Sequence, residues 1–344
     1  VSRASTDILV VGGGPVGLAV AIEARLAGRE VVVVEPRTAP IDKACGEGLM
    51  PGALAGLHRL GVDPAGHALT GISYRDRRRH VDHLFVTGPG RGVRRTTLHE
   101  ALYARSIDLG VEHVRARADR ISQSPDGVRA AGVAARFLIG CDGLHSTIRR
   151  AAGLAVAPRG ARDRRRFGLR RHFRVAAWTD LVEVHWGAGV EAYVTPVADD
   201  TVGVALLGPA GVDYMDALAT FPEIRARLRG TEPLGPVRGA GPLQQRSRRR
   251  VAGRIRLVGD ASGYVDALTG EGLSVGLAQA RAAVATLDDG PEAYERAWAR
   301  ATRDYRLLTS GLVRWATSPG RAAIVPVAAR VPPLYGAIVE RLAR

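Results

Sequence analysis

The stretch from residue 7 to residue 35 constrains this chain more than any other. Asp7-Ile-Leu-Val-Val11 is a short apolar run of the kind that forms a buried strand. Gly12-Gly-Gly14-Pro-Val16-Gly17 follows, then Leu18 to Ala27 with helical spacing and a closing Gly28. A second apolar run, Glu30 to Val34, ends in Glu35. Gly12 permits the tight turn, Gly14 lets backbone approach a pyrophosphate, and Gly17 lets helix and strand pack closely. The helix start, with Val16 and Gly17 in its first turn, offers free N–H groups and a positive dipole end to phosphates. Glu35 stands 18 residues after Gly17, where its carboxylate can accept ribose hydroxyls and would repel a 2′-phosphate. A glycine-rich turn without a ligand is the alternative, and it leaves unexplained why an acid ends an otherwise apolar strand.

Two later segments bear on which dinucleotide is held. Arg136-Phe-Leu-Ile-Gly-Cys141-Asp142-Gly143-Leu-His-Ser146-Thr-Ile-Arg149 reads as a strand and a turn. Arg254-Ile-Arg-Leu-Val-Gly259-Asp260-Ala-Ser-Gly263 reads the same way, and Leu268-Thr-Gly270-Glu-Gly272-Leu273-Ser-Val-Gly276 then opens a helix to about Leu287. With GxGxxG, a DG turn followed by Ser and Arg, and a GD turn in this order, the chain resembles the flavoprotein monooxygenases of the para-hydroxybenzoate hydroxylase type and the related geranylgeranyl reductases. The resemblance covers roughly residues 5 to 290.

The resemblance implies FAD as the bound cofactor, with NADPH or NADH visiting as a transient electron donor, since no second nucleotide fingerprint is present. It implies cofactor contacts from Gly12, Gly14, Val16, Gly17, Glu35, Arg37, Cys45, Gly46, Arg95, Asp142, Asp260, Gly270, Gly272 and Leu273. Arg95, three residues before Leu98 at a helix start, would reach the phosphates, and Asp260 would accept ribose or ribityl hydroxyls. Gly270 to Leu273 would set a helix N-terminus against the pyrimidine end of the flavin, where N–H groups favour the reduced anion. Asp142 and Arg149 are expected to brace their turn, and Cys141 to pack in its strand.

The branch within the family is open. Cys45-Gly46, in Asp42-Lys43-Ala-Cys45-Gly46-Glu47-Gly48, looks like the reductases. Hydroxylases commonly carry His where Gly263 stands, and both branches usually carry Pro near Ala267, so the chain departs from each. A halogenase would need its own active-site lysine and a Trp-x-Trp-x-x-Pro motif. Here Lys43 is the only lysine and Trp186 precedes Gly-Ala-Gly.

Between 156 and 249 the pattern predicts antiparallel strands: Arg166 to Val175, Leu181 to Trp186, Glu191 to Val197, and Thr201 to Leu207 after an Asp199-Asp200 turn. On the second of these, Val182, Val184 and Trp186 share one face and Glu183 and His185 the other. Which face meets a substrate is not readable. His185 and Tyr193, with His172, are candidate substrate contacts, each set against a purely structural place in the sheet. From Pro291 the tail is helical, and its apolar, proline-broken stretch from Ala322 to Tyr335 would dock over the domain junction or lie on a membrane surface.

The expected architecture is therefore α/β: a Rossmann-like, doubly wound FAD-binding domain (1–70, 95–155 and 250–290), an antiparallel β-sheet substrate domain (71–94 and 156–249) and a helical C-terminal segment (291–344). The net charge of +15 is carried by arginine in scattered clusters without interleaved aromatics, Arg77-Arg78-Arg79, Arg164-Arg165-Arg166 and Arg248-Arg249-Arg250, so no nucleic-acid partner is expected. Two cysteines make neither a disulfide framework nor a zinc site, no metal is expected, and a reducing cytoplasm is the expected location. The reading is an NAD(P)H- and O2-dependent monooxygenase of a hydrophobic, aromatic or polyketide-like small molecule. The alternatives are reduction of a C=C bond in an isoprenoid or lipid, and a non-catalytic flavin-binding protein. Neither a catalytic side chain beyond the weak candidate Cys45 nor an oligomeric state is readable.

Overall fold

The computed structural model describes residues 5–156 and 165–344, so Arg164 of one arginine cluster lies outside the described residues. Thr6–Val11 is the middle of an eight-stranded sheet and pairs in parallel with Val31–Val34 on one side and Val133–Gly140 on the other. Ile255–Leu257 and Glu112–Val114 extend the parallel set outward. All four residues of Val31–Val34 are buried, as expected where both faces of a parallel strand are covered. Helix Pro15–Leu26 starts on a proline, which needs no N–H at that position. With helix Gly272–Ala285 it covers one face of the sheet, packing with Ile8, Val10, Val31 and Val33. Leu9, Val11, Val32 and Val34 face the opposite core.

The second sheet has seven strands, in the order Glu232–Ala240, Arg166–Arg174, Thr201–Pro209, Glu191–Ala198, Leu181–Trp186, Gly71–Arg75, His80–Leu84. Asp199-Asp200 is the turn of a hairpin whose strands meet at Ala198 and Thr201. The sheet is not antiparallel throughout. Gly71–Arg75 comes from far upstream and pairs in parallel with Leu181–Trp186, a long-range partner that the local pattern of 156–249 does not reveal. A small three-stranded sheet, Gly48–Leu49, His67–Leu69 and Gly90–Gly92, lies in the segment between the two large ones.

The tail packs on both large sheets. Helix Pro291–Ala316 buries Tyr294 and Trp298 in the core of the first sheet. Beyond it a short helical turn, Pro319–Ala323, and helices Ile324–Arg330 and Pro332–Ala343 fold back over the second sheet. Ile324, Val325 and Ala343 share a core with Val182, Val184 and Trp186, while Tyr335 and Val339 pack on Val81. A buried ion network locks this arrangement. Arg321 of the tail holds Glu191 at 2.6 Å, Glu191 holds Arg166 at 2.7 Å, and Arg166 holds Asp266 of the loop before Gly270 at 3.0 Å. Of the two expectations for the tail, docking over the junction describes its inner face.

Candidate functional site

The glycine loop is shaped by close approach. Gly12 has φ +108°, and a Cβ there would lie 2.5 Å from the Cys141 carbonyl oxygen, so a side chain is excluded both by conformation and by space. A Cβ on Gly17 would lie 1.8 Å from the Gly12 carbonyl oxygen, which holds the helix start hard against the strand end. Gly14 is different: a Cβ there would meet nothing within 4 Å, because Gly14 faces open space on the cavity wall. Val16 lines the cavity but also fills the notch at Gly276, so it joins the two helices as well as facing the groove.

Glu35 ends its strand over this loop. Its carboxylate accepts the Gly13 N–H at 2.9 Å and the Arg37 N–H at 3.0 Å, and it pairs with the Arg37 guanidinium at 2.8 Å. Burial alone would raise its pKa, but the hydrogen bonds from Arg37 and Gly13 outweigh that and hold it below the usual carboxylate range. The acid is therefore charged, with Arg37 covering it on the exposed side. Gly13, which the fingerprint spacing passes over, seats this acid in the loop without lining the cavity.

Beyond Glu35, the segment 41–50 lines the cavity with Lys43, Cys45 and Gly46. Its anchor is Glu47, which the sequence reading did not single out. Glu47 is 4% exposed and sits at φ +63°, a conformation a non-glycine residue adopts only when held there. The holding groups are the Arg95 backbone N–H at 2.8 Å and His172 Nε2 at 2.6 Å. Arg170 stands 3.0 Å from His172 Nδ1 and can only donate, so Nδ1 accepts and Nε2 carries the proton given to Glu47. His172 is thus a positioning group joining this loop to the second sheet, and it is absent from the cavity wall. Cys45 Sγ accepts the Glu47 N–H at 3.4 Å and lies 4.0 Å from an Arg95 guanidinium nitrogen. Arg95 itself lines the cavity, and its Nε is buried without a partner.

The opposite wall comes from the two turn motifs. Asp142 Oδ2 accepts the Thr147 and Ile148 N–H groups at 2.6 and 3.1 Å in the first turn of the short helix Thr147–Ala151, whose N-cap is Ser146. Arg149 is buried and donates to the carbonyl oxygens of Leu144 and Ala261 and to Gln245. It ties the two turns together as a brace. Asp260 faces Lys43 at 3.5 Å across the groove. Gly270, Gly272 and Leu273 lie on the wall at the start of helix Gly272–Ala285, whose first turn has no side-chain cap. Its N-cap residue, Glu271, is buried with one carboxyl oxygen unpartnered. Burial, with the nearby Asp304 charge adding to it, pushes its pKa up to about 9, so it is uncharged at neutral pH. An uncharged residue there leaves the positive end of the helix unneutralised. Cys141 is half-buried at the strand end, packed against the first core and on the cavity wall, and loss of solvation raises its thiol pKa well above the ordinary value.

These walls enclose one cavity of about 1110 Å³ running from the glycine loop to the tail. At the far end it is an apolar chamber with Val182, Val184 and Leu243 on one side and Leu312, Trp315 and Ile324 on another. The face of Leu181–Trp186 left open by the sequence is thereby assigned: Val182 and Val184 look into the chamber. His185 does not. It lies on the opposite face, paired with Glu183 at 2.9 Å and edge-on to Phe221, so it is not placed to touch a substrate, contrary to expectation. Tyr193 is on the wall, and its hydroxyl is spent on the Leu268 carbonyl at 2.8 Å, which ties the second sheet to the loop before Gly270.

The residues present fit FAD: an empty approach at Gly14, an unpartnered buried guanidinium nitrogen at Arg95, a charged acid at the strand end and an uncapped helix start at the other wall. The model for a family described as an FAD binding domain matches residues 5–188. The chain is 30% identical to menaquinone reductase of Mycolicibacterium smegmatis, with 85% of this chain and 79% of that protein covered. It is 27% identical to rifampicin monooxygenase of Streptomyces venezuelae, covering 80% of this chain and 62% of that one. Its fold superposes on a flavoprotein/dehydrogenase from Cytophaga hutchinsonii with a TM-score of 0.83, 19% identity, and 98% and 92% of the two chains covered. With its fingerprint, its groove and these relatives in agreement, the chain belongs to the FAD binding domain family of FAD-dependent oxidoreductases.

Proposed function

We propose that the protein is an NAD(P)H- and O2-dependent monooxygenase that hydroxylates a large, mostly apolar small molecule with an aromatic or polyketide-like reacting end. The observation that carries this reading is the continuity of the FAD groove with a chamber walled by aliphatic and aromatic side chains and closed on one side by the tail. Such a chamber binds by apolar burial and keeps water from the reacting atoms. FAD, when bound, supplies the redox chemistry and the activation of oxygen. The chain supplies the rest. Gly14 and Arg95 receive the phosphates, and Glu35 takes ribose hydroxyls. Asp260 and Lys43 flank the groove, and the N–H groups from Gly272 onward stabilise negative charge at the cofactor's far end. The nicotinamide donor binds transiently.

A second reading, reduction of a C=C bond in an isoprenoid or lipid, is favoured by Cys45, whose thiol lies on the cavity wall beside Arg95. The mycobacterial relative is likewise named a reductase, of menaquinone. One experiment separates the two. The FAD-loaded protein is given NADH or NADPH and alkylated phenols or isoprenoid quinones, with oxygen uptake and product mass followed with and without air. Oxygen consumed in proportion to a product one oxygen heavier is the expected result. A product two hydrogens heavier that forms equally well without oxygen overturns hydroxylation. A folded protein that cannot be loaded with FAD overturns both.

A further inference from the structure

The cavity has two mouths of opposite character. Near the glycine loop it opens among Glu35, Arg37 and Lys43. At the tail it opens among Leu307, Val327, Val331, Leu334 and Ile338, all of which line the cavity and are also exposed, Leu334 at 54% and Leu307 at 68%. Apolar side chains normally have no reason to gather, exposed, round the entrance of an apolar chamber. Around this rim the available charge is positive. Arg314 lies seven residues beyond Leu307 on the same helical face, Arg330 adjoins Val331, and both are exposed with no ion pair among the described residues. Of the nearby acids, Asp304 is paired with Arg341 at 2.6 Å and Glu340 with His83 at 2.9 Å, while Asp82, close enough to act on Tyr335, has no ion pair among the described residues, so the unpaired charge is two arginines against one acid.

We propose that this rim is a docking surface for an anionic lipid bilayer, through which the substrate passes from the lipid into the chamber. The proposal rests on the reading of the chamber as a site for an apolar substrate. No single helix among the described residues is long and apolar enough to cross a membrane. Residues 319–330 and 332–343 together have a span's composition, but they bend by 101° and their inner faces are occupied by the second sheet. That leaves the outer face to lie in the plane of the lipid interface, with arginines toward the headgroups. A second copy of the chain is the weaker occupant. A two-fold pair through this patch would bring the unpaired Arg314 and Arg330 of both copies into one contact and would seal the mouth.

The test uses FAD-loaded protein, its FAD content and melting temperature checked for each variant, and sedimentation with phosphatidylcholine vesicles with or without phosphatidylglycerol. The wild type is expected to sediment with the anionic vesicles only. Val331→Asp with Leu334→Asp should cut the bound fraction roughly tenfold at both low and high salt, because apolar insertion is not screened. Arg314→Glu with Arg330→Glu should cut it mainly at low salt. Wild type that stays in solution, or a pair of aspartates that binds like wild type, overturns the proposal; the second result would assign binding to general positive charge. Light scattering that shows the aspartates splitting a dimer overturns it in favour of a second copy. Turnover is assayed separately on detergent-dispersed substrate without vesicles, so a failed functional reading shows there while the vesicle result stands on its own.

Discussion

Around the glycine loop, a Cβ on Gly17 would stand 1.8 Å from a carbonyl oxygen; around the chamber, Val182, Val184 and Leu243 present aliphatic surface in which no particular atom is required. The first region is held to one arrangement by backbone-to-backbone approach and charge-assisted hydrogen bonds. The second is held by volume and apolarity, which many side-chain sets satisfy. The contrast follows from the ligands. A pyrophosphate flanked by a ribose and a ribityl chain presents directional acceptors and donors, whereas an apolar substrate presents only shape. The cofactor end is therefore expected to fail sharply and the chamber end gradually.

The sharpest break is Gly17→Val. It should cost at least about 3 kcal/mol by overpacking, and melting curves should show it as loss of the folded protein rather than of FAD alone. Gly14→Val is the companion test, because Gly14 faces open space. Its apo-protein should melt like wild type, but FAD should no longer be retained on gel filtration. If Gly14→Val keeps wild-type FAD affinity, the pyrophosphate lies elsewhere. Glu35→Ala comes next. Removing one or two charge-assisted hydrogen bonds should weaken FAD binding by about 1.5–3 kcal/mol for each, read by fluorescence titration. Unchanged affinity would leave Glu35 as a loop brace for Gly13 and Arg37 only.

The same contrast explains what was legible beforehand. The strand, loop, helix and strand from 6 to 34 and the two turn motifs are legible because each depends on residues adjacent in sequence, and glycine at a close approach has no substitute. Glu47 was not legible as an anchor. Its partners are His172 and the Arg95 backbone, brought in from another sheet and another helix, and the only local signal is an acid set between two glycines. The outward turn of His185 was equally hidden, because alternation in a strand gives two faces but not which one is inward. The parallel pairing of Gly71–Arg75 with Leu181–Trp186 depends on a crossover of more than a hundred residues, beyond any local pattern.

A smaller effect sharpens the boundary between the two regions, where the buried Glu271 directly precedes helix Gly272–Ala285. Its folded pKa of about 9 lies above the ordinary 4.5, so between these values the folded state holds a proton that the unfolded state releases. Stability contributed at low pH is lost as pH rises through that window. Asp266, pushed up to about 6 chiefly by burial and by Glu191 against the opposing pull of Arg166, works in the same direction between its ordinary 3.8 and 6. Glu271→Gln removes the first titration. Relative to wild type, its melting temperature should be higher at pH 9 than at pH 5 by several degrees, about 2–4 °C for each kcal/mol in a chain of this size or smaller. Equal differences at both pH values would mean that Glu271 is charged in the folded protein.

The smallest expected effect is at Cys45, on the seam where the cofactor groove becomes the chamber. Its Sγ accepts the N–H of Glu47 and lies beside Arg95, so it helps seat the loop whose anchor is Glu47. In hydroxylation that seating is its whole task, and a reactive thiol next to activated oxygen would invite its own oxidation. Cys45→Ser keeps an acceptor for the Glu47 N–H; Cys45→Ala does not. Both should retain FAD, and each should lose less than about tenfold in rate, or about 1.4 kcal/mol of barrier, with serine closer to wild type than alanine. In C=C reduction the thiol has a different use, delivering a proton opposite the hydride. Serine, a far weaker acid, would then fare no better than alanine. A loss well beyond tenfold in both variants, with FAD retained and turnover persisting without oxygen, would make Cys45 a catalytic residue and move the assignment to the reductase.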